Sequence, residues 1–199
     1  MKRILCFLLT AVMLFSLASC GGSGLSDDEI RDIYEGLIEQ SYLLNEVYYG
    51  DGLPFVNDPE TMAALAGASS RFSYMPVDKN APLKSEAEIR EATLAVFTKD
   101  MCDHLFVLAF EGMSTGDDET VVYARYIEME EILTVRIDLA EEALPLGRVY
   151  DLDSMDILNQ NGSRIVASFA TSVDGEPSVN VKLTLVKTAE GWRLDSPTY

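Results

Sequence analysis

The chain has 199 residues, 48% of them hydrophobic and 9% aromatic, which is typical of one folded domain and excludes a disordered chain. Asp and Glu outnumber Lys and Arg by 33 to 15, giving a formal net charge of −18. A field of that sign repels phosphate backbones and anionic lipid headgroups. We therefore expect no nucleic-acid partner and no membrane binding through charge.

The first 19 residues have the pattern of an export signal. Lys2 and Arg3 form a positive start, and an almost unbroken apolar run follows from Ile4 to Leu17. A spanning helix needs roughly 20 apolar residues, so this shorter run instead matches the apolar region of a signal peptide.

The run ends in Leu17-Ala18-Ser19-Cys20, which resembles the lipobox of bacterial lipoproteins. The resemblance implies cleavage before Cys20, a diacylglyceryl group on its sulfur and a place on the extracytoplasmic face of the cell membrane. An ordinary secretory leader with an incidental cysteine is the alternative. We assign residues 1–19 to the signal peptide, 20–25 to the lipidated cysteine and a glycine-rich tether, and 26–199 to a single domain.

Capping signals predict the helices. Ser26 to Glu29 has the capping-box pattern, and apolar residues recur at helical period until Gly50 and Gly52 end the helix. Asp58-Pro59 predicts a short second helix to about Gly67. After an extended stretch at 72–77, a second capping box at 85–88 predicts a long helix. It either continues to about Phe110 or breaks near Thr98-Lys99-Asp100.

After Gly116 the apolar period changes to two, which predicts strands. Asn161-Gly162, with positive φ angles, and Asp174-Gly175 are turn signals between them. Helices followed by an antiparallel meander predict an α+β domain with helices packed on a curved antiparallel sheet. The predicted strands are one carrying Tyr123, Arg125, Ile127 and Met129, a half-buried one from Leu133 to Leu139, then Val149 to Leu158, Arg164 to Ser172, Val179 to Leu185, and a last short one around Trp192 and Leu194.

The leading helices, the long meander and the ending 181–187 followed by 191–196 together resemble the cone-shaped nuclear-transport-factor-like (cystatin-like) superfamily. Within it, Phe72-x-Tyr74-x-Pro76-Val77, Val96-Phe97-Thr98 and the terminal hairpin with Trp192 resemble the IseA family, inhibitors of cell-wall D,L-endopeptidases in Gram-positive bacteria. The likeness covers roughly residues 72 to 199. It implies a cone-like domain that binds a peptidase or a small ligand instead of catalysing.

The residues that most often carry chemistry are scarce. Cys102 is the single thiol outside the leader and its end, and its helical setting predicts a buried structural cysteine. His104 is the only histidine, which excludes a His-rich metal site and favours a surface or structural role. We predict no catalytic residue, no metal and no cofactor.

One acidic motif invites a calcium interpretation. Asp151-x-Asp153-x-x-Asp156 lacks the fifth-position ligand and the glycine of an EF-hand loop. On a regular strand Asp151 and Asp153 share one face while Asp156 points to the other. We therefore expect a solvated strand edge.

Two groups remain as candidate binding residues. An acidic loop with Asp117, Asp118 and Glu119 is either a solvated connection or an exposed prong for the cleft of a partner. The aromatic residues around the first loop are either core residues or the rim of a pocket between helices and sheet; the candidates for that rim are Tyr48, Tyr49, Phe55 and Tyr74.

These patterns predict a membrane-anchored, extracytoplasmic, non-enzymatic binding lipoprotein. By the resemblance, its partner is a cell-wall hydrolase, which it inhibits or regulates. The alternative is a small-ligand-binding lipoprotein that uses a cavity between helices and sheet. An isomerase-like enzyme on the same cone would need a carboxylate or His104 inside the pocket.

Overall fold

The computed structural model describes residues 24–58, 74–114, 121–139, 143–144 and 146–199. In these ranges the helices are α1 (Asp27–Tyr49), α2 (Glu86–Val96) and α3 (Lys99–Phe106), and α3 continues into a π-helical turn (Val107–Glu111). The strands are β1 (Tyr74–Pro76), β2 (Met113–Ser114), β3 (Val121–Val122), β4 (Tyr126–Met129), β5 (Ile132–Arg136), β6 (Arg148–Gln160), β7 (Arg164–Val173), β8 (Glu176–Pro177), β9 (Val181–Thr188) and β10 (Gly191–Leu194). The predicted mixed α+β composition is confirmed. None of the described helices is long and apolar enough to span a membrane.

Helix α1 begins and ends as its sequence predicts. The Ser26 backbone N–H donates to the Glu29 carboxylate (2.8 Å), and the Glu29 N–H donates to Ser26 Oγ (3.3 Å), so both halves of the capping box are formed. At the other end, the Gly50 N–H closes the helix on the carbonyl oxygens of Asn45 and Glu46. The buried stripe confirms the predicted apolar face; it includes Ile30, Tyr34, Leu37, Ile38, Leu44 and Val47.

The long helix predicted from the second capping box breaks near Thr98, which was one of the two alternatives. Phe97 is extended and forms a bridge with Leu194 of β10, and the Thr98 N–H donates to the Leu194 carbonyl (2.9 Å). The backbone leaves the helix here because its hydrogen bonds are satisfied by a strand. A continuous helix to Phe110 is therefore wrong, although α3 and its π-helical turn reach Glu111.

The second capping box is only half formed. Ser85 Oγ accepts from the Glu88 N–H (3.1 Å), as predicted. The Glu88 carboxylate, however, accepts from the N–H of Lys84 (2.7 Å), one residue before the cap. The sequence pattern identified the start of α2 correctly but not this second bond.

The described strands form two main antiparallel sheets, not the single curved sheet that we predicted. One has the order β1-β5-β4, and the other has the order β10-β9-β7-β6 with β8 paired to β7. Strands β2 and β3 form a separate pair.

The predicted strand carrying Tyr123 to Met129 is wrong in extent and in face. Strand β3 ends at Val122, and β4 starts at Tyr126, which is fully buried while Ile127 and Met129 are 38% and 48% exposed. The Tyr126 hydroxyl explains the inversion, because it accepts from the Leu53 N–H (3.0 Å) and donates to the Val47 carbonyl (3.2 Å). Hydrogen bonds to α1 and its loop thus decide which face turns inward.

Strand β5 is buried on both faces, not half-buried as predicted. Leu133 and Val135 lie in the core as expected, but Thr134 and Arg136 are buried as well. Thr134 Oγ1 donates to the Ile127 carbonyl (2.7 Å), and Arg136 Nε lies 2.6 Å from an Asp138 carboxylate oxygen. These polar side chains are tolerated inside because they have polar partners.

The hairpin between β6 and β7 forms where predicted, but by different turn chemistry. Gly162 does not have a positive φ; instead, Asn161 Oδ1 accepts from the N–H groups of Ser163 (2.9 Å) and Arg164 (2.8 Å). At the next turn Asp174 and Gly175 have φ angles of 52° and 82°, as that turn signal predicts.

Helix α1 packs on the larger sheet, and side chains fill the space between them. The Tyr34 hydroxyl donates to the Leu183 carbonyl of β9 (3.0 Å), and its ring meets the Phe169 ring edge-on at 5.0 Å. The Tyr150 ring also meets the Phe169 ring edge-on, at 6.0 Å. Because aromatic rings fill the middle of this layer, we expect a ligand cleft at its edge.

Candidate functional site

Several predicted functional residues lie outside the described ranges. They are Cys20 with the leader and tether, the acidic residues Asp117, Asp118 and Glu119, and most of the predicted helix from Asp58 to Gly67. Their roles stay predictions.

The four aromatic residues of the candidate pocket rim do not converge on one cavity. Tyr48 lies in the core with its hydroxyl 2.7 Å from Thr93 Oγ1, so core packing, the other interpretation of this group, holds for it. Tyr49 stacks on Tyr199 with ring centroids 4.1 Å apart.

The other two belong to the smaller sheet. Phe55 forms a strand-like bridge with Val77, and the Tyr74 hydroxyl donates to the Ala124 carbonyl (2.6 Å). Both side chains are half-buried. The four residues thus lie in different settings, and a pocket rim formed by them stays a prediction.

Cys102 is fully buried, as predicted. Its Sγ lies 3.7 Å from the Phe97 carbonyl oxygen, and burial raises the pKa of the thiol to about 11. A protonated, inaccessible thiol is a poor nucleophile at neutral pH. His104 lies exposed on α3, which agrees with the surface role expected of it.

Asp151 and Asp156 of β6 lie on the same face of the sheet, because their partners on β7 are two residues apart. Asp151 pairs with Ala170 and Asp156 pairs with Ser168, so β6 carries three extra residues over that interval. An odd number of extra residues reverses the strand alternation, which is why our placement of Asp156 on the opposite face was wrong.

The carboxylates of Asp151, Asp153 and Asp156 are all exposed, as expected of a solvated strand edge. In the described part of the chain, no three metal-ligating side chains are grouped closely enough to hold an ion.

A cleft lies where the C-terminal half of α1 meets the start of β6, and we call it the α1–β6 cleft. Its volume is about 510 Å³, which is within the usual range for small-molecule sites. Its wall is mainly apolar, with one carboxylate and one guanidinium. The lining residues are Tyr42, Leu43, Asn45, Glu46, Leu146, Gly147, Arg148 and Val149.

The apolar part of the wall is partly exposed to solvent. Tyr42 and Leu43 are each 37% exposed and Val149 is 56% exposed. Desolvation raises the pKa of the Tyr42 phenol above its ordinary value, and the group is neutral at physiological pH in either case. Open apolar side chains beside polar groups are typical of surfaces that bind another molecule.

Two opposite charges line the cleft without pairing. Glu46 is exposed on α1, and Arg148 is half-buried at the start of β6. Arg148 Nη1 donates to Thr171 Oγ1 (2.8 Å), while its Nε is buried and has no hydrogen-bond partner among the described residues. A buried donor without an acceptor is costly, and this Nε has almost no accessible surface through which an outside acceptor could reach it.

A buried polar network supports the helical side of the cleft. Asn45 Nδ2 donates to Thr198 Oγ1 (3.0 Å), and Thr198 Oγ1 donates to Ser41 Oγ (2.7 Å). The Tyr150 hydroxyl of β6 donates to the Thr198 carbonyl (3.1 Å). The network ties α1 to β6 through the segment around Thr198 and so fixes the two walls relative to each other.

Two glycines leave room that a side chain would fill. A Cβ on Gly50 would overlap the Glu46 carboxylate and lie 2.8 Å from Leu146 Cδ1. A Cβ on Gly147 would lie 2.5 Å from Asp174 Oδ1. In both cases the nearest atoms belong to the ends of side chains, so a Cβ would displace side chains at the cleft.

Fold and site together define a mixed α+β domain with a small-molecule-sized cleft at the edge of its helix–sheet layer. Comparison of the chain with protein-family models and with curated proteins found no match.

Proposed function

We propose that the protein is a lipid-anchored, extracytoplasmic binding lipoprotein that holds a small ligand in the α1–β6 cleft. The sequence ending in Cys20 supports the anchor, since small residues precede a cysteine directly after a signal-like apolar run. The observation that supports ligand binding is the cleft itself, where a mainly apolar wall carries the half-buried Arg148 and the exposed Glu46.

We also propose the cone-like arrangement of the nuclear-transport-factor-like folds. Helix α1 packs across the sheet that contains β6, β7, β9 and β10, and the Tyr34 hydroxyl joins it to the middle of β9. The three-residue bulge in β6 adds local bending of the kind that curved sheets require.

The proposed role is non-enzymatic. His104 is exposed on α3, away from the residues that line the cleft, and the Cys102 thiol is buried and protonated. These placements favour binding over catalysis.

The anchor is tested by comparing the parent chain with a Cys20→Ser variant in a bacterial host. The parent should be lipidated and partition with membranes, and the variant should lose both properties. Equal partitioning of the two would remove the anchor.

Ligand binding is tested by native mass spectrometry of the full chain purified gently from the envelope. A co-purifying small molecule in the parent, lost in an Arg148→Gln variant, is the expected result. The matched control is Arg164→Gln, whose guanidinium is 52% exposed on β7, outside the cleft.

A second candidate function is regulation of a cell-wall D,L-endopeptidase, as the family resemblance implies. The observation that favours it is the tip of the β4–β5 hairpin. There Glu130 and Glu131 have positive φ angles of 51° and 67°, beside the half-exposed Met129 and Ile132. Acidic and apolar groups at one protruding tip suit a basic partner with an apolar cleft.

The regulatory role is tested by endopeptidase inhibition assays with the full chain. Joint neutralisation of Asp117, Asp118 and Glu119 should weaken inhibition without unfolding the protein. Neutralising Glu130 and Glu131 separately shows whether the hairpin tip contributes. If no variant changes inhibition, both acidic surfaces are excluded as contacts.

A further inference from the structure

We infer that the ligand of the α1–β6 cleft is a small zwitterion with an apolar side chain, namely a free amino acid or a short peptide. Arg148 binds its carboxylate and Glu46 binds its ammonium group. The inference rests on the proposed ligand-binding function and specifies the chemistry of that site.

The Arg148 guanidinium is held ready for a carboxylate. Thr171 occupies Nη1 at 2.8 Å and fixes the plane of the group, while the buried Nε has no acceptor in the described part of the chain. Because the Nε has almost no accessible surface, the carboxylate binds at the terminal nitrogens of the guanidinium through charge-assisted hydrogen bonds.

Glu46 supplies the opposite charge from the other wall. Its exposed carboxylate sits on the last full turn of α1, and the last turn of that helix contains no basic residue. Glu46 and Arg148 line the same cleft without an ion pair joining them, although both are among the described residues. A ligand with both charges can bridge the gap that the two side chains leave open.

The apolar residues of the cleft select the apolar part of the ligand. Tyr42 and Leu43 of α1 face the cleft together with Leu146 and Val149, so an apolar side chain has a matching surface. A volume of about 510 Å³ is enough for an amino acid or a short peptide and small for a folded partner. Glu46 would repel a simple anion, and Arg148 would repel a simple cation. A zwitterion can present the opposite charge to each residue.

The test is titration of the full chain, in detergent micelles, with four probes followed by calorimetry. L-Leucine and L-leucyl-L-leucine carry both charges, N-acetyl-L-leucine lacks the ammonium, and L-leucinamide lacks the carboxylate. At least one zwitterion should bind, and each blocked form should bind at least tenfold more weakly. Comparison of the amino acid with the dipeptide shows which of the two sources fits.

Variants assign each charge to its residue. Arg148→Gln should abolish the preference for L-leucine over L-leucinamide, and Glu46→Gln should abolish the preference over N-acetyl-L-leucine. Arg148→Lys retains the charge, so with the fold intact by circular dichroism it should keep part of the preference that Arg148→Gln abolishes. The control is Glu35→Gln, an exposed α1 position about 16 Å along the helix from Glu46, which should bind like the parent.

The possible outcomes distinguish the zwitterion assignment from the proposed small-ligand binding. If all four probes bind equally, or an uncharged co-purifying ligand occupies the cleft, small-ligand binding stands and the zwitterion assignment is overturned. If neither the probes nor any co-purified molecule bind, both are overturned.

Discussion

Arg125 donates from Nε to the carbonyl oxygen of Val47, 3.0 Å away, at the point where α1 runs out of its own hydrogen-bond donors. Its Nη2 reaches the Gly50 carbonyl at 2.5 Å. The last carbonyls of a helix have no partner within the helix, and a buried cation is a favourable one. A residue from the segment between β3 and β4 thus caps the helix that forms one wall of the cleft.

Replacing Arg125 by Met should lower the free energy of unfolding by about 2–3 kcal/mol, since charge-assisted hydrogen bonds to buried carbonyls are lost. Urea denaturation followed by circular dichroism measures the change. The control is Arg164→Gln, whose exposed pair with Asp195 at 3.7 Å should contribute less than about 1 kcal/mol. Equal effects of the two substitutions would show that Arg125 does not cap α1.

Replacing Thr198 by Val should cost about 1–3 kcal/mol, because the Oγ1 that joins Asn45 and Ser41 disappears and buried polar atoms lose partners. The change conserves volume, so packing contributes little. Ser178→Ala, at an exposed position before β9, is the comparison and should be nearly neutral. A neutral Thr198→Val would mean that the network does not hold α1 to β6.

Replacing Glu130-Glu131 by Asn-Gly should raise the free energy of unfolding by about 1 kcal/mol. Both glutamates have positive φ, where a side chain with Cβ is strained, and Asn-Gly is the preferred pair in such two-residue turns. Thermal unfolding measures the shift. Glu190→Asn, at a turn position without a positive φ, should bring no gain. If the double variant is destabilised, the turn is held by contacts of the glutamates themselves.

Stability should fall between about pH 9 and pH 11, partly through Cys102. Burial raises the pKa of this thiol from 9.0 to about 11, so the unfolded chain loses the proton first. The contribution is full below about pH 9 and lost as the pH rises to about 11, a total of roughly 2–3 kcal/mol.

Denaturation curves at several alkaline pH values measure this loss for the parent and for Cys102→Ala. The alanine variant is less stable at neutral pH because of its cavity, but its stability should fall less steeply over the same interval. Tyr126 adds a later component, since burial raises the pKa of its phenol to about 12. Parallel curves for parent and variant would show that the thiol does not titrate as described.

Features set by neighbouring residues were predictable from the sequence, and features set by distant ones were not. The Ser26 capping box and the Gly50 stop depend on residues within one turn, and both are present. The face of β4 was mispredicted because the Tyr126 hydroxyl bonds to Val47, 79 residues away in the chain. Alternation alone carries no information about such a bond.

One feature of the sequence indicated the cleft. Tyr42 and Leu43 are apolar, yet neither lies among the buried residues of α1, so they are apolar positions without a place in the core. Their partner across the cleft, Arg148, is separated from them by about 100 residues, and no spacing rule connects the two. The bulge that turns Asp156 outward is equally invisible, since it is defined only by pairing with β7.

The length of α1 sets how far the cleft stands from the start of the domain. Gln160 Nε2 donates to the Leu25 carbonyl (3.0 Å), which fixes the chain at the first turn, and Glu46 lies about 29 Å further along the helix axis. With the lipid on Cys20, as proposed, the flexible tether and then this helix, about as long as the bilayer's hydrocarbon core is thick, separate the attachment point from the binding surface. The cleft can then stand up to about 29 Å beyond the anchored end of the domain.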